Sequence, residues 1–179
     1  LTYSGVAADG TDFTGLATVT IPAGASSANF NIATLQDVLA EGAESFTVTI
    51  GSASGGNFES LVISGANGAA TTSIADDDTP ALSVSSPTVG EGGFAVFTVS
   101  LSNASMTAVT FNPTLASGTA AVGTDTGSAL EYFDGASWVA VPVGGVTLAA
   151  GATSVQIRVA TSDDFAAEGK RWWAHVQFL

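Results

Sequence analysis

Apolar residues alternate with polar or small ones along most of this chain, and the alternation comes in short runs. Ala17, Val19 and Ile21 form one run, Ala28, Phe30 and Ile32 a second, and Phe46, Val48 and Ile50 a third. Further along, Leu82 and Val84 alternate, then Ala95, Phe97, Val99 and Leu101, then Val155, Ile157 and Val159. A period of two puts every second side chain on one face of an extended segment, which marks half-buried strands. Clusters of Gly, Asn, Asp and Ser separate the runs at turn-like spacing. No stretch carries a 3.6-residue period. The pattern predicts an all-β protein built as antiparallel sandwiches.

The runs repeat. "SGVAADGTD" at Ser4 to Asp12 returns as "SGTAAVGTD" at Ser117 to Asp125, displaced by 113 residues. "TIPAGASSANFNIAT" at Thr20 to Thr34 returns as "TLAAGATSVQIRVAT" at Thr147 to Thr161, displaced by 127. The extra 14 residues of the second copy fall in "SALEYFDGASWVAVPVGG", which reads as an added hairpin turning at Asp134-Gly135. A boundary is expected at Asp78-Thr79-Pro80, where proline follows an acidic run and stiffens a short linker. The first repeat then covers 1–78 and the second 79–179. Leu1 aligns with Thr114, so the first copy lacks the counterpart of about 35 residues, and the second ends before its last strands. Both sandwiches are therefore expected to be truncated. The ending "KRWWAHVQFL" is out of character, with two of the three basic residues and two of the three tryptophans. Residues 170–179 are read as a non-native tail, from a frameshift or an artificial junction. The alternative is a divergent last strand, in which Trp172, Ala174, Val176 and Phe178 alternate.

Composition narrows the partners. The formal charge is −13 from 16 acidic and 3 basic residues, yet only 11% of the 179 residues are charged. Such a surface repels nucleic acid and anionic membranes, and it favours divalent metal or a cationic partner. No apolar run reaches the roughly 18 residues of a membrane-spanning helix. With no cysteine, disulfides cannot brace the fold, and stability falls to packing and bound metal. The 46% hydrophobic content supports a core. The Ser, Thr, Ala, Gly and Val bias suits a secreted bacterial β-protein, and the missing Met and signal peptide suit an interior piece of a longer chain.

The acidic residues are grouped. Asp37, Glu41 and Glu44 lie in "QDVLAEGAESF", and Asp163, Asp164 and Glu168 lie in "SDDFAAEG", with Asp37 and Glu41 matching Asp164 and Glu168 at the 127-residue offset. Asp76, Asp77 and Asp78 form a run between them. Grouped carboxylates with few basic partners need a cation. Calcium, which takes 6–8 oxygen ligands at about 2.3–2.6 Å in flexible geometry, is the expected one. Like charges about 4 Å apart repel by about 1–4 kcal/mol without it. Zinc is disfavoured by the absence of Cys and the solitary His175. Magnesium stays open, although strict octahedral geometry suits a crowded cluster less well.

These motifs resemble the Calx-beta family and the immunoglobulin-like repeats of large bacterial adhesins exported by type I secretion. The resemblance rests on Glu91 in "VGEGGFAVFTVSLS", on "SGTAAVGTD" and "SGVAADGTD", on "AGATSVQIRVAT", on "DVLAEGAESFTVTI" and on "IADDD". The segment "EYFDGASWVAVPVGGVTLAAG" is closer to the bacterial form. The resemblance implies tandem immunoglobulin-like sandwiches whose acidic loops gather at one end of each unit and coordinate Ca2+. In the first copy the implied ligands are Asp12, Asp37, Glu41, Glu44, Asp76, Asp77 and Asp78, with Gln36 in place of one paired Asp. In the second they are Glu91, Asp125, Asp163, Asp164 and Glu168, with Arg171 where the last Glu belongs. Asp9, Glu59, Glu131 and Asp134 are read as ordinary solvated carboxylates.

The expected function is that of calcium-binding extender repeats of a bacterial cell-surface adhesin. Neighbouring repeats are the partners, and a surface or carbohydrate ligand is bound by other domains. The alternative is a calcium- or carbohydrate-binding accessory module of an extracellular enzyme, with Trp138 as the sugar platform. Trp138 at an alternating position reads first as a packing residue. No catalytic role is expected: the single His lies in the tail, no Gly-x4-Gly-Lys loop occurs, and nothing supports a paired-carboxylate glycosidase.

Overall fold

A computed structural model describes residues 1–163 and, for its backbone, the strand His175–Phe178. The described residues contain no helix, and their paired strands are antiparallel. The chain divides into two compact units, Leu1–Asp78 and Thr79–Leu179.

In the first unit, β1 (Thr2–Gly5), β4 (Glu44–Thr49) and β5 (Ala69–Ile74) form a sheet in the order β1-β4-β5. β2 (Phe13–Thr14) pairs with β3 (Ala33–Thr34). The buried centre is small: Ala7, Phe13 and Phe46, with Tyr3, Ile32, Val48 and Ile74 packed around them. Phe13 stacks on Phe46 with ring centroids 4.1 Å apart, and Tyr3 tilts against both. Stacked and tilted aromatic pairs give more than their buried area alone.

The second unit is larger. It contains β6 (Leu82–Val84), β7 (Phe94–Leu101), β8 (Val109–Phe111), β9 (Pro113–Ala116), β10 (Glu131–Phe133), β11 (Trp138–Ala140), β12 (Val146–Leu148), β13 (Ser154–Ala160) and β14 (His175–Phe178). A five-stranded sheet runs β11-β10-β13-β7-β6, while β12 pairs with β8 and β14 with β9. Ala95, Phe97, Val99 and Leu101 are all buried along β7, as its alternation predicts. They meet Ile157 and Val159 of β13, with Phe111, Val146 and Leu148 completing the core. The 14-residue insertion is the β10–β11 hairpin, turning through Asp134 and Gly135, where Asp134 Oδ1 accepts from the N–H groups of Ala136 and Ser137.

Register carries the repeat into the second unit's last strand. β1 and β4 pair Tyr3 with Val48 and Thr2 with Thr49. β9 and β14 pair Ala116 with His175 and Leu115 with Val176, the same rungs displaced by 113 and 127 residues. Whatever the origin of residues 170–179, the backbone of β14 takes the repeat's place in the ladder. Residues 170–174 lie outside the described part.

One expectation needs correction. Ala17, Val19 and Ile21, and Ala28, Phe30 and Ile32, alternate as strands should, but residues 15–32 form no strand; only Ala33 and Thr34 pair. Alternation sets which side chains share a face. A strand also needs a neighbour for its N–H and C=O groups.

Candidate metal centre in the first unit

The repeated "GTD" loop is a self-locking turn. In the first unit the N–H of Ala8 donates to Asp12 Oδ2 at 2.5 Å, and the N–H of Asp12 donates to the Ala8 carbonyl at 3.0 Å. In the second, Ala121 N–H reaches Asp125 Oδ2 at 2.7 Å and Asp125 N–H reaches the Ala121 carbonyl at 2.9 Å. Gly10 and Gly123 each sit at φ 89°, a left-handed conformation that glycine adopts without penalty. Each donates its N–H to the residue after the aspartate at 2.7 Å. The Asp12 and Asp125 carbonyls accept from Leu35 and Ser162, both at 2.9 Å. The turn thus fixes the aspartate beside the next acidic loop.

In the first unit this brings seven carboxylates together. Asp12, Asp37, Glu41, Glu44, Asp76, Asp77 and Asp78 line one cavity of about 80 Å3, with Gln36 and Gly42 among its other walls. One carboxylate oxygen from each of Asp12, Asp37 and Glu41 lies within 4.8 Å of the others, and the same holds for Asp76, Asp77 and Asp78. Two oxygens on opposite sides of a calcium ion stand about 4.6–5.2 Å apart, so each trio fits within one coordination sphere. Residues 1–78 contain no Lys, Arg or His. No cationic side chain of this unit can neutralise the group.

Backbone donors hold part of it. Asp76 Oδ2 accepts from the N–H groups of Glu41 (3.0 Å) and Gly42 (3.1 Å), while its Oδ1 accepts from Asp78 N–H (3.1 Å). Those bonds, led by Gly42 and Asp78, hold its carboxyl below the ordinary value. Asp76 therefore fastens the 41–42 loop to the end of the unit. Asp37 Oδ1 accepts from Leu39 N–H at 2.8 Å, an Asx turn. The Gln36 amide donates to Asp77 Oδ1 at 2.9 Å, a neutral donor amid the acids.

The remaining acids show the strain of the grouping. Burial first, and then Glu44, Asp12, Asp37 and Asp76, push the Glu41 carboxyl above its ordinary value. Burial and then Asp12, as a neighbouring charge and a hydrogen-bond partner, raise Glu44. Burial, Asp76, Asp77 and Asp37 raise Asp78. A cation in the cavity would reverse the repulsive part of each shift. The donor set fits calcium: it is all oxygen, each trio is close enough to share one ion, and the seven carboxylates exceed the charge one ion supplies.

The second unit shows no matching cluster among its described residues. Asp125 and Asp163 approach the same end through the Ser162-to-Asp125 backbone bond, and Glu91 is exposed beside them. A Cβ on Gly92 would come within 3.2 Å of Asp163 Cβ, which places the Glu91-Gly92 corner against that loop. Among the described residues, no three carboxylates lie close enough there to share a coordination sphere. Asp164 and Glu168 lie outside the described residues, as does Arg171.

Some acids read as plain solvated groups hold local structure. Asp9 Oδ1 accepts from Gly15 N–H at 2.7 Å. Glu131 forms an ion pair with Arg158 at 2.7 Å, and the Arg158 guanidinium lies over Phe94 and Trp138, 3.9 and 4.4 Å from the ring centroids. Phe133 tilts against Trp138. The tryptophan is a packing residue of the inserted hairpin. Sequence reasoning missed the fastening role of Asp76 and the Gln36 donor. Only the side-chain geometry of the fold reveals either.

A family model described as LapA domain matches residues 13–77, within the first unit. That domain is associated with large adhesins and biofilm proteins, which gives coarse support for a cell-surface location. It supports the adhesin side of the resemblance drawn from the sequence, not the Calx-beta side. No curated protein and no solved structure matches the chain. The chain is thus linked, through its first unit, to large biofilm adhesins.

Proposed function

We propose that the chain is a pair of extender repeats from a bacterial surface adhesin, in which calcium held by the first unit fixes the segment leading out of it. The observation that carries this reading is the convergence of seven carboxylates, from residues 12, 37–44 and 76–78, on one cavity in a unit without any Lys, Arg or His. Asp76–Asp78 close the first unit and Thr79 opens the second. An ion bound to that segment restricts the chain where the two units join. The role is mechanical: repeats stiffened in extracellular calcium project a distal adhesive domain, and in low calcium the segment loosens and export unfolded becomes easier. The Arg158–Trp138 packing favours no sugar-binding reading.

Calorimetric titration of the chain with calcium, together with melting in calcium and in chelator, tests this. The expected result is saturable binding that raises the melting temperature of the first unit and is lost in the Asp77→Asn/Asp78→Asn variant. No binding heat and an unchanged melting temperature would sink the calcium role, while leaving the adhesin link standing.

A further inference from the structure

The turn that leads into β5 carries a chemistry that the metal reading leaves unused. The chain has six asparagines, and only Asn67 is followed by glycine. Asn29, Asn31, Asn57 and Asn103 each precede a residue whose Cβ crowds its own amide nitrogen. Asn112 precedes Pro113, which has no N–H. Glycine at 68 is imposed by packing: a Cβ there would come 2.6 Å from the Ser64 carbonyl oxygen and 2.9 Å from Ile63 Cγ2. The Gly68 carbonyl accepts from Ile50 N–H at 2.8 Å, at the end of the β4–β5 ladder, while the Gly68 N–H has no described acceptor. The Asn67 N–H is anchored on Ser64 Oγ at 3.1 Å, and its side chain forms no hydrogen bond among the described residues.

The two Asp-Gly pairs of the chain are held differently. Asp9 Oδ1 accepts from Gly15 N–H at 2.7 Å, and Asp134 Oδ1 from Ala136 and Ser137 at 2.9 and 2.8 Å. Each carboxylate is tied in place, and a carboxylate is a poor target for a nucleophile. Asn67 combines a neutral carboxamide, an untied side chain and an unhindered following nitrogen.

We infer that Asn67 is a self-modification site, at which the Gly68 amide nitrogen closes on the Asn67 side-chain carbonyl carbon. The nitrogen gives its proton to hydroxide as the new C–N bond forms. The carboxamide C–N bond breaks, and ammonia leaves with a proton taken from water. Water then opens the cyclic imide at either carbonyl, giving aspartate or its isomer, whose backbone runs through the side chain. The balance is water consumed and ammonia released. Either product adds a carboxylate to a unit without Lys, Arg or His. The isomer also lengthens the backbone where Ile50 reaches Gly68, and so frays that end of the ladder. The six residues of β5 put about 20 Å of extended chain between the turn and Asp76. That exceeds the screening length of about 8 Å in physiological salt, so the new charge leaves the carboxylate cavity unaltered. The inference does not depend on calcium.

Incubation of the intact chain in heavy-oxygen water at mildly alkaline pH, followed by peptide mass spectrometry, tests it. Heavy oxygen should enter residue 67 at least tenfold faster than any other asparagine or either Asp-Gly pair, at a rate proportional to hydroxide. A synthetic peptide of residues 63–72 should react no more than tenfold faster than the folded chain. An Asn67→Gln chain should stay unlabelled at that position. In the isomerised fraction, hydrogen exchange at Ile50 should be at least tenfold faster, and an Asn67→Asp chain should show no such change. Labelling at Asn67 no faster than at other asparagines overturns the inference. So does a folded chain more than tenfold slower than the peptide, because the fold would then protect the pair. Unaltered exchange at Ile50 in the isomerised fraction overturns the fraying.

Discussion

Phe30 and Ile157 hold the same place in the repeat, yet one faces water and the other is sealed. The second unit contains β6, β7 and β8, and it builds a core of nine buried apolar residues in two clusters. The first buries three. The acids follow the reverse pattern: the first unit collects seven carboxylates in one cavity, while the second gathers no trio among its described residues. Among the described residues, the larger core lies in the second unit and the carboxylate cluster in the first.

The largest contrast should come from truncating the matched pair. Ile157→Ala should cost about 2–5 kcal/mol of second-unit stability, the usual range for emptying a buried aliphatic site. Phe30→Ala should cost the first unit about 1 kcal/mol or less, since little is buried there to lose. Denaturant unfolding read separately for the two transitions checks this, and equal losses would break the comparison. Calcium should act the other way round. At about a hundred times its Kd an ion adds about 2.7 kcal/mol to the unit that binds it, which for a domain of this size is a rise of about 10–20 °C. Scanning calorimetry should place that rise in the first-unit transition, with a smaller one in the second.

A subtler division concerns the twin turns. In chelator, Asp12→Asn keeps an oxygen for the Ala8 N–H and removes a charge that raises Glu41 and Glu44, so first-unit stability should rise by about 0.5–1 kcal/mol. Asp125→Asn weakens the same lock where no such cluster offsets it, and second-unit stability should fall by a similar amount. Effects of one sign at both positions would show that the carboxylate cavity does not decide the outcome.

The smallest expected effect is that of pH. Glu41, Glu44 and Asp78 have raised values in the folded, metal-free unit. Their stabilising share is fully present below the unfolded carboxylate values, about 3.9–4.3, and is lost as pH rises through the raised ones. The metal-free first unit should therefore gain stability as pH falls from neutral towards about 4.5. Asp76 opposes this: its lowered value gives stability that is present above the ordinary aspartate range and lost as pH falls through that lowered value. Among the described residues of the second unit, Asp134, likewise lowered, gives that kind of loss. Melting in chelator from neutral to about pH 4.5 tests the first-unit gain, and melting below about pH 4 tests the second-unit loss. In calcium the first-unit gain should vanish, because protons compete for the ligands.

The sequence showed more of the second unit than of the first, for a physical reason. Along β7 and β13, period-two alternation coincided with a paired neighbour, so the reading and the structure agree. Along 17–21 and 28–32 the same alternation met no neighbour, and the segment stayed out of any sheet. The inserted hairpin was legible because Asp134-Gly135 marks its turn locally. The cavity was legible as a list of acids, since the repeat flagged Asp37, Glu41 and their twins. Which acid fastens the backbone was not. The bonds to Asp76 come from residues 34 and 35 positions earlier, and no local pattern announces them.

The GTD turn makes its lock almost wholly within itself. Apart from the aspartate's own carbonyl and the Asp9 side chain, which accepts from Gly15 and has Val122 as its counterpart, the bonds described run inside residues 8–13 in one unit and 121–126 in the other, with similar lengths. It is therefore a portable part. Residues 8–12 and 121–125 should be exchangeable as cassettes, and a designer assembling longer arrays can vary the strands on either side without re-engineering the corner that aims the acid.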